Sequence, residues 1–200
     1  MISTVDLKDK PALSQGIIQY NNRLAPLLIR NTLHSIIPNG IEHIYVTGIG
    51  SNVISGDSLG PLVGTLLKNI YPGHLTVIGS LQSPLDAVTL GREIPNVRFR
   101  SNSYVIAIDS VLGKKEMVNS IIVRKGTLIP GIGLGNQLPS IGDCSIMGVV
   151  LENSPDLHSS LLYTNLDTIF TMAMNIAKGI SIAVRQFFNY PPDDPVLLLR

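Results

Sequence analysis

Between residues 22 and 40 apolar positions recur every three or four residues. Leu24, Leu27, Leu28, Leu33 and Ile36 form one face, and Pro38, Asn39 and Gly40 close the segment. That spacing predicts a helix beginning near Asn22. The pattern then changes. His43–Thr47 is a short, mostly apolar run that reads as a buried strand, and Ser58–Ile70 returns to helical spacing. Leu75–Gly79 predicts a second strand, followed by a helix from about Pro84 to Arg92. Tyr104–Ile108 is the clearest strand, with Asp109 at its exit. Asn119–Val123 and Ser145–Leu151 bring the strands to five. A helix over about Asn165–Phe188 ends the pattern, with Thr164 and Asp167 at capping-box spacing. For the helix after the first strand, Asp57 or Ser58 is the expected cap. Pro61 is tolerable there because it falls in the first turn.

Buried strands alternating with helices predict an α/β fold. The expected form is a three-layer sandwich around a mostly parallel five-stranded central sheet, one domain over residues 1–200, with 1–20 as a loosely ordered arm. Counting those five strands along the chain, the expected order is 2-1-3-4-5. The first and third strands then flank the topological switch point, where ligands bind outside the carboxyl ends of the strands.

Composition narrows the class. Of 200 residues, 44% are apolar and 14% charged, which excludes disorder for the chain as a whole. A mean hydropathy of +0.31 asks for a sheet covered on both faces or for a subunit interface, so a homo-oligomer is among the expected partners. The net charge of +1 gives no reason to expect direct nucleic-acid binding. One cysteine, Cys144, excludes an internal disulfide framework and fits a reducing compartment. Met1–Lys10 carries Asp6, Asp9 and two lysines without an apolar core, so no signal peptide is expected. Ile169–Val184 is too short for a membrane span and holds Lys178. These features predict a cytoplasmic protein.

Two glycine clusters could hold phosphate, and neither has the spacing. In "GIGSNVISGDSLGP" (48–61) the third glycine of a dinucleotide loop would fall at Val53, and no Lys-Ser/Thr ends the run. In "PGIGLGN" (130–136) the corresponding position is Asn136. No cofactor is expected. The carboxylates fit better: Asp57 lies past the first strand and Asp109 at the end of the third, so the expected order converges them on one crevice. Two adjacent carboxyls share a proton, and the ionised one can activate water while the protonated one donates to a carbonyl or leaving amine. The plainer alternatives are an N-cap for Asp57 and a turn residue for Asp109.

Around the acids, backbone N–H groups of the loop Gly126–Asn136, with Gly131, Gly133 and Gly135, could form an oxyanion or substrate nest. Asn52 and Asn136 could hydrogen-bond across the two loops and fix the acids. His158 follows the last strand and is an auxiliary base candidate. His34, His43 and His74 are expected in structural places, and Cys144 as a small buried residue.

Three blocks, "GIGSNVISGDSLGP" (48–61), "VIAIDSVLGKKEMVNSIIVRKGTLIPGIGLGN" (105–136) and "GDCSIMGVVL" (142–151), resemble in order those of the spore germination proteases. The Ser after each acid, where the protease has Ala, and the shorter length look closer to the related YyaC-type sporulation proteins. The resemblance implies a hydrogenase-maturation-protease-like fold and an acid-dependent endopeptidase with two catalytic aspartates, here Asp57 and Asp109. It also implies a small protein substrate, the small acid-soluble spore proteins. Arg124–Asp143 holds no histidine, against the nickel-reading site of the related maturation enzymes, so no metal is expected. The competing functions are a protease-like binding protein and, more weakly, a metal-assisted hydrolase.

Overall fold

The computed structural model describes residues 3–4, 16–131, 138–153 and 161–197. In chain order the elements are β1 (Ser3–Thr4), β2 (Gly16–Gln19), α1 (Ala25–Ile36), β3 (His43–Gly48), a 3-10 turn (Ser55–Asp57) and α2 (Leu59–Leu67). They continue with β4 (Leu75–Ile78), α3 (Ala87–Glu93), β5 (Ser103–Gly113), β6 (Ser120–Lys125), β7 (Cys144–Glu152) and α4 (Leu166–Phe187). Six strands form one mixed sheet in the order β2-β6-β7-β5-β3-β4, and the two residues of β1 pair beside the end of β5. β4, β3, β5 and β7 are parallel, whereas β6 runs antiparallel to β7 and β2 antiparallel to β6.

The α/β class holds, and the expected sheet needs correcting in three respects. The strand over 120–125 runs antiparallel and lies outside the one over 144–152. Connector length explains it: six residues, Lys114–Asn119, separate β5 from β6. A parallel return needs a crossover of about a dozen residues or more. Six are enough only to step over one lane and turn back, and β7 later fills that lane. Residues 16–19, placed with the loose arm by the sequence, form the edge strand β2. Finally, β5 does not stop at Ile108 but continues to Gly113, so Asp109 lies inside a strand.

Strand alternation sorts the core into two layers. Ile44, Val46, Ile106, Ile108, Ile121 and Ile146 face the side covered by α1, α2 and α4. Ala107, Val111, Ile122, Met147 and Val149 face a smaller layer that includes Leu85, Leu90 of α3, Leu128 and Ile141. α4 lays Ile169, Met172, Ile176 and Ile180 on the sheet at helical spacing. Its cap is Asn165, whose carboxamide accepts from the Asp167 and Thr168 N–H groups, so Thr164 is not the capping residue. Among the described residues no helix is long and apolar enough to cross a membrane.

Candidate functional site

β3 ends at Gly48, opposite Ile108. Asp109 is the next residue of β5, paired with Met147 of β7 and 0% exposed. By alternation it shares a face with Ala107 and Val111, in the smaller apolar layer. A carboxyl enclosed there opposes the preference of a doubly covered strand for Val and Ile. The turn-residue alternative for Asp109 is therefore set aside. Ser110 follows on the opposite face, fully buried, and its hydroxyl meets no hydrogen-bond partner among the described residues.

Asp57 reaches the same level from the loop after β3. Ile49 N–H donates to Ile108 O at 2.8 Å, carrying the chain past the end of its strand while still bonded to β5. Two residues later, Ser51 N–H donates to Asp57 O at 3.0 Å, and the 3-10 turn over 55–57 packs against β5. Three consecutive residues, 49–51, thus tie both acids to one strand end. Gly50 makes the return possible. Its φ is +133°, and a Cβ there would stand 2.0 Å from Asp57 O. Gly48 serves the helix instead: a Cβ on it would lie 2.3 Å from Gly60 O, at the start of α2. The glycine pair that resembles a phosphate loop is spent on seating an acid and a helix.

Asp57 is 1% exposed and does not cap α2. Ser58 holds the N-cap position without a side-chain cap bond, its hydroxyl donating to Ser55 O at 2.7 Å. Burial pushes the Asp57 carboxyl up to about 6, against a pull from the Ser51 N–H, and the negative charge of Asp86 adds to the rise. Asp86 is the N-cap of α3, accepting from the Val88 and Thr89 N–H groups, and its pKa is lowered, with the Thr89 N–H as the largest cause. Sequence reading missed this third carboxylate; the capping pattern of "DAVT" (86–89) was its only signal.

Of the other predicted residues, Asn52 lies in the Asp57 loop, and its amide donates to Leu81 O at 2.9 Å. Gly131 is buried in a turn with φ +73°. Gly133, Gly135, Asn136 and His158 lie outside the described residues. His43 begins β3 at the far edge, bonded to Thr76 and Arg100, and its pKa is lowered by burial and then by the Arg100 charge. His74 bonds Tyr190 OH and stacks on Phe188, while His34 is exposed in the last turn of α1. Burial raises the Cys144 thiol to about 12, so it is inert.

A cleft of about 330 Å³ opens on the outer side of the turn, where Asn52, Val53, Ser55, Ser58, Leu62 and Leu166 form much of its wall. The segment before α4 braces this turn: Ser55 Oγ donates to Leu162 O at 3.0 Å, and Gly56 leaves space for Leu161 and Thr164. Among the described residues no three His, Cys, Asp or Glu side chains gather as a metal site.

Two likenesses bear on this arrangement. A family described as "Protein of unknown function (DUF1256)" matches residues 17–179, a span that includes both acids, the loop between β3 and α2, and most of α4. A protein of Bacillus subtilis (strain 168) described as "Uncharacterized protein YyaC" is 36% identical over 143 residues, which is 71% of this chain and 70% of that protein.

Proposed function

The chain belongs to the DUF1256 family, and we propose that this member is an endopeptidase of the germination-protease type, acting in sporulation on a small protein. The observation that carries the reading is the placement of Asp57 and Asp109, two acids 52 positions apart (109 − 57), both close to the end of β3 and linked through the backbone of residues 49–51. In the proposed reaction the pair holds one proton. The ionised carboxyl takes a proton from water as the water oxygen attacks the peptide carbonyl carbon. The protonated carboxyl gives its proton to the departing amine as the C–N bond breaks. An Asp57 carboxyl raised to about 6 by burial suits such proton exchange near neutral pH. The motif blocks supply the substrate class, small acid-soluble spore proteins, and a cytoplasmic setting.

Incubation of these proteins with the chain, read by mass spectrometry, tests the proposal. Defined fragments should appear with the parent protein and be absent with Asp57→Asn and with Asp109→Asn. Fragments that persist with either variant refute the dyad.

One observation favours a second reading, a binding protein that keeps this framework without hydrolysis: both carboxyls are closed off from solvent. It is selected if the same incubation gives a tight complex with an intact partner.

A further inference from the structure

We propose that the cleft beside the Asp57 turn is a side-chain pocket for an extended peptide, selecting a bulky aliphatic or aromatic residue next to the bond presented to the acids. The inference rests on the peptide-handling reading above and adds the substrate preference. The cleft adjoins the turn that carries Asp57: Ser55 begins that turn and Ser58 follows the acid, and both line the cleft, while Asp57 and Asp109 themselves do not. A side chain seated there fixes the adjoining peptide backbone against the turn.

The wall sets the chemistry. Among the described residues of the wall, Val53, Ile54, Leu62, Leu81 and Leu166 are apolar, Asn52, Ser55 and Ser58 are polar, and none is charged. A Lys, Asp or Glu would lose its water there without a counter-charge, whereas a Leu or Phe would bury apolar area. A volume of about 330 Å³ suits one large side chain with part of its backbone, at the small end of the roughly 300–1,000 Å³ common for ligand clefts. Asn52 supplies a backbone contact. Its amide is fixed on Leu81 O, which leaves Oδ1 to accept a peptide N–H.

The apolar surface continues outward. Val53 is 80% exposed and Leu166 58%, both on the cleft. Leu162 and Tyr163 are 52% and 85% exposed on the segment whose carbonyl holds Ser55. Exposed apolar residues scattered singly are ordinary, but Val53 and Leu166 share one cleft, and Leu162 and Tyr163 lie on the segment that braces its turn. The uncharged wall and its union with the acid turn point to a peptide as the occupant.

The test uses dye-labelled nine-residue peptides of Ala, Gly and Ser with one central Leu, Phe, Asp or Lys. Binding to the full chain is read by fluorescence polarisation, and the same samples are checked by mass spectrometry. The Leu and Phe peptides should bind at least about tenfold more tightly than the Asp and Lys peptides. Val53→Asp and Leu166→Glu, at exposed positions that leave circular dichroism unchanged, should each erase the preference. Equal binding of all four peptides, a preference that survives both variants, or self-association through this face without peptide overturns the proposal. Failure of the peptidase reading looks different. Intact peptides bound with the stated preference keep the pocket and remove the hydrolysis, whereas cleavage without preference does the reverse.

Discussion

Asp57→Asn should stabilise the protein in a pH-dependent way, because the carboxyl is held where its charge is unwelcome. The folded-state pKa is about 6 and the ordinary value 3.8. Between those values the native state binds more proton than the unfolded one, so stability falls as pH rises through the window. At about 1.4 kcal/mol per pH step, the accumulated cost above pH 7 is about 3 kcal/mol. It vanishes below pH 4, where both states are protonated. The asparagine variant never pays it. For a domain near 200 residues, 1 kcal/mol moves Tm by about 2–4 °C. The melting-temperature gap between variant and parent should therefore widen by roughly 6–12 °C from pH 4 to pH 7.5. Scanning calorimetry at five or six pH values measures it. The comparison reads Asp57 together with its coupling to Asp86 and, in the proposed dyad, to Asp109, while a constant offset from the buried amide cancels. A gap that stays level, or narrows as pH rises, refutes the claim that desolvation governs this carboxyl.

Three further outcomes follow from the same geometry. Gly50→Ala forces a Cβ into the Asp57 carbonyl at a left-handed φ, and should cost about 3 kcal/mol or more in urea unfolding; a loss under about 1 kcal/mol would show that the loop seats the acid differently. Burial, and then the Arg100 charge, lower the His43 pKa in the folded state. Its contribution is present above its ordinary value of 6.5 and is lost as pH falls below that, so His43→Gln should flatten the Tm profile below pH 6.5. Equal slopes would contradict this. Asn165→Ala should cost about 1 kcal/mol of thermal stability through loss of the α4 cap, and an unchanged Tm would return the capping role to Thr164.

The alternation of short apolar runs with helical-period segments placed four of the strands and the main helices within a few residues. Local pattern is strong where a strand is buried on both faces, as His43–Gly48 is. It failed where geometry is set at a distance. Asp109 and Ser110 look like a strand exit because two polar residues interrupt the run, yet Val111 and Leu112 resume it, and pairing with β7 and β1 carries the strand onward. The cap expected at Asp57 or Ser58 overlooked the 3-10 turn before the helix, which turns Asp57 inward. At α4 two capping patterns overlap, and Asn165 prevails over Thr164 because its carboxamide reaches two N–H groups. The acids were legible as chemistry; their burial, and Asp86 beside Asp57, arise from tertiary packing that no local window contains.

The lane between β5 and β6 has a consequence for synthesis of the chain. In the finished sheet β7 supplies the partner for one edge of β5 and one edge of β6, so without residues 144–152 each would present an open row of backbone donors and acceptors. The centre of the sheet is therefore filled last, and α4, which covers it, follows later still. A chain stopped before Cys144 would leave both edges open to pairing with another extended segment. One of the two innermost strands of the finished sheet is thus the last of its strands to be made.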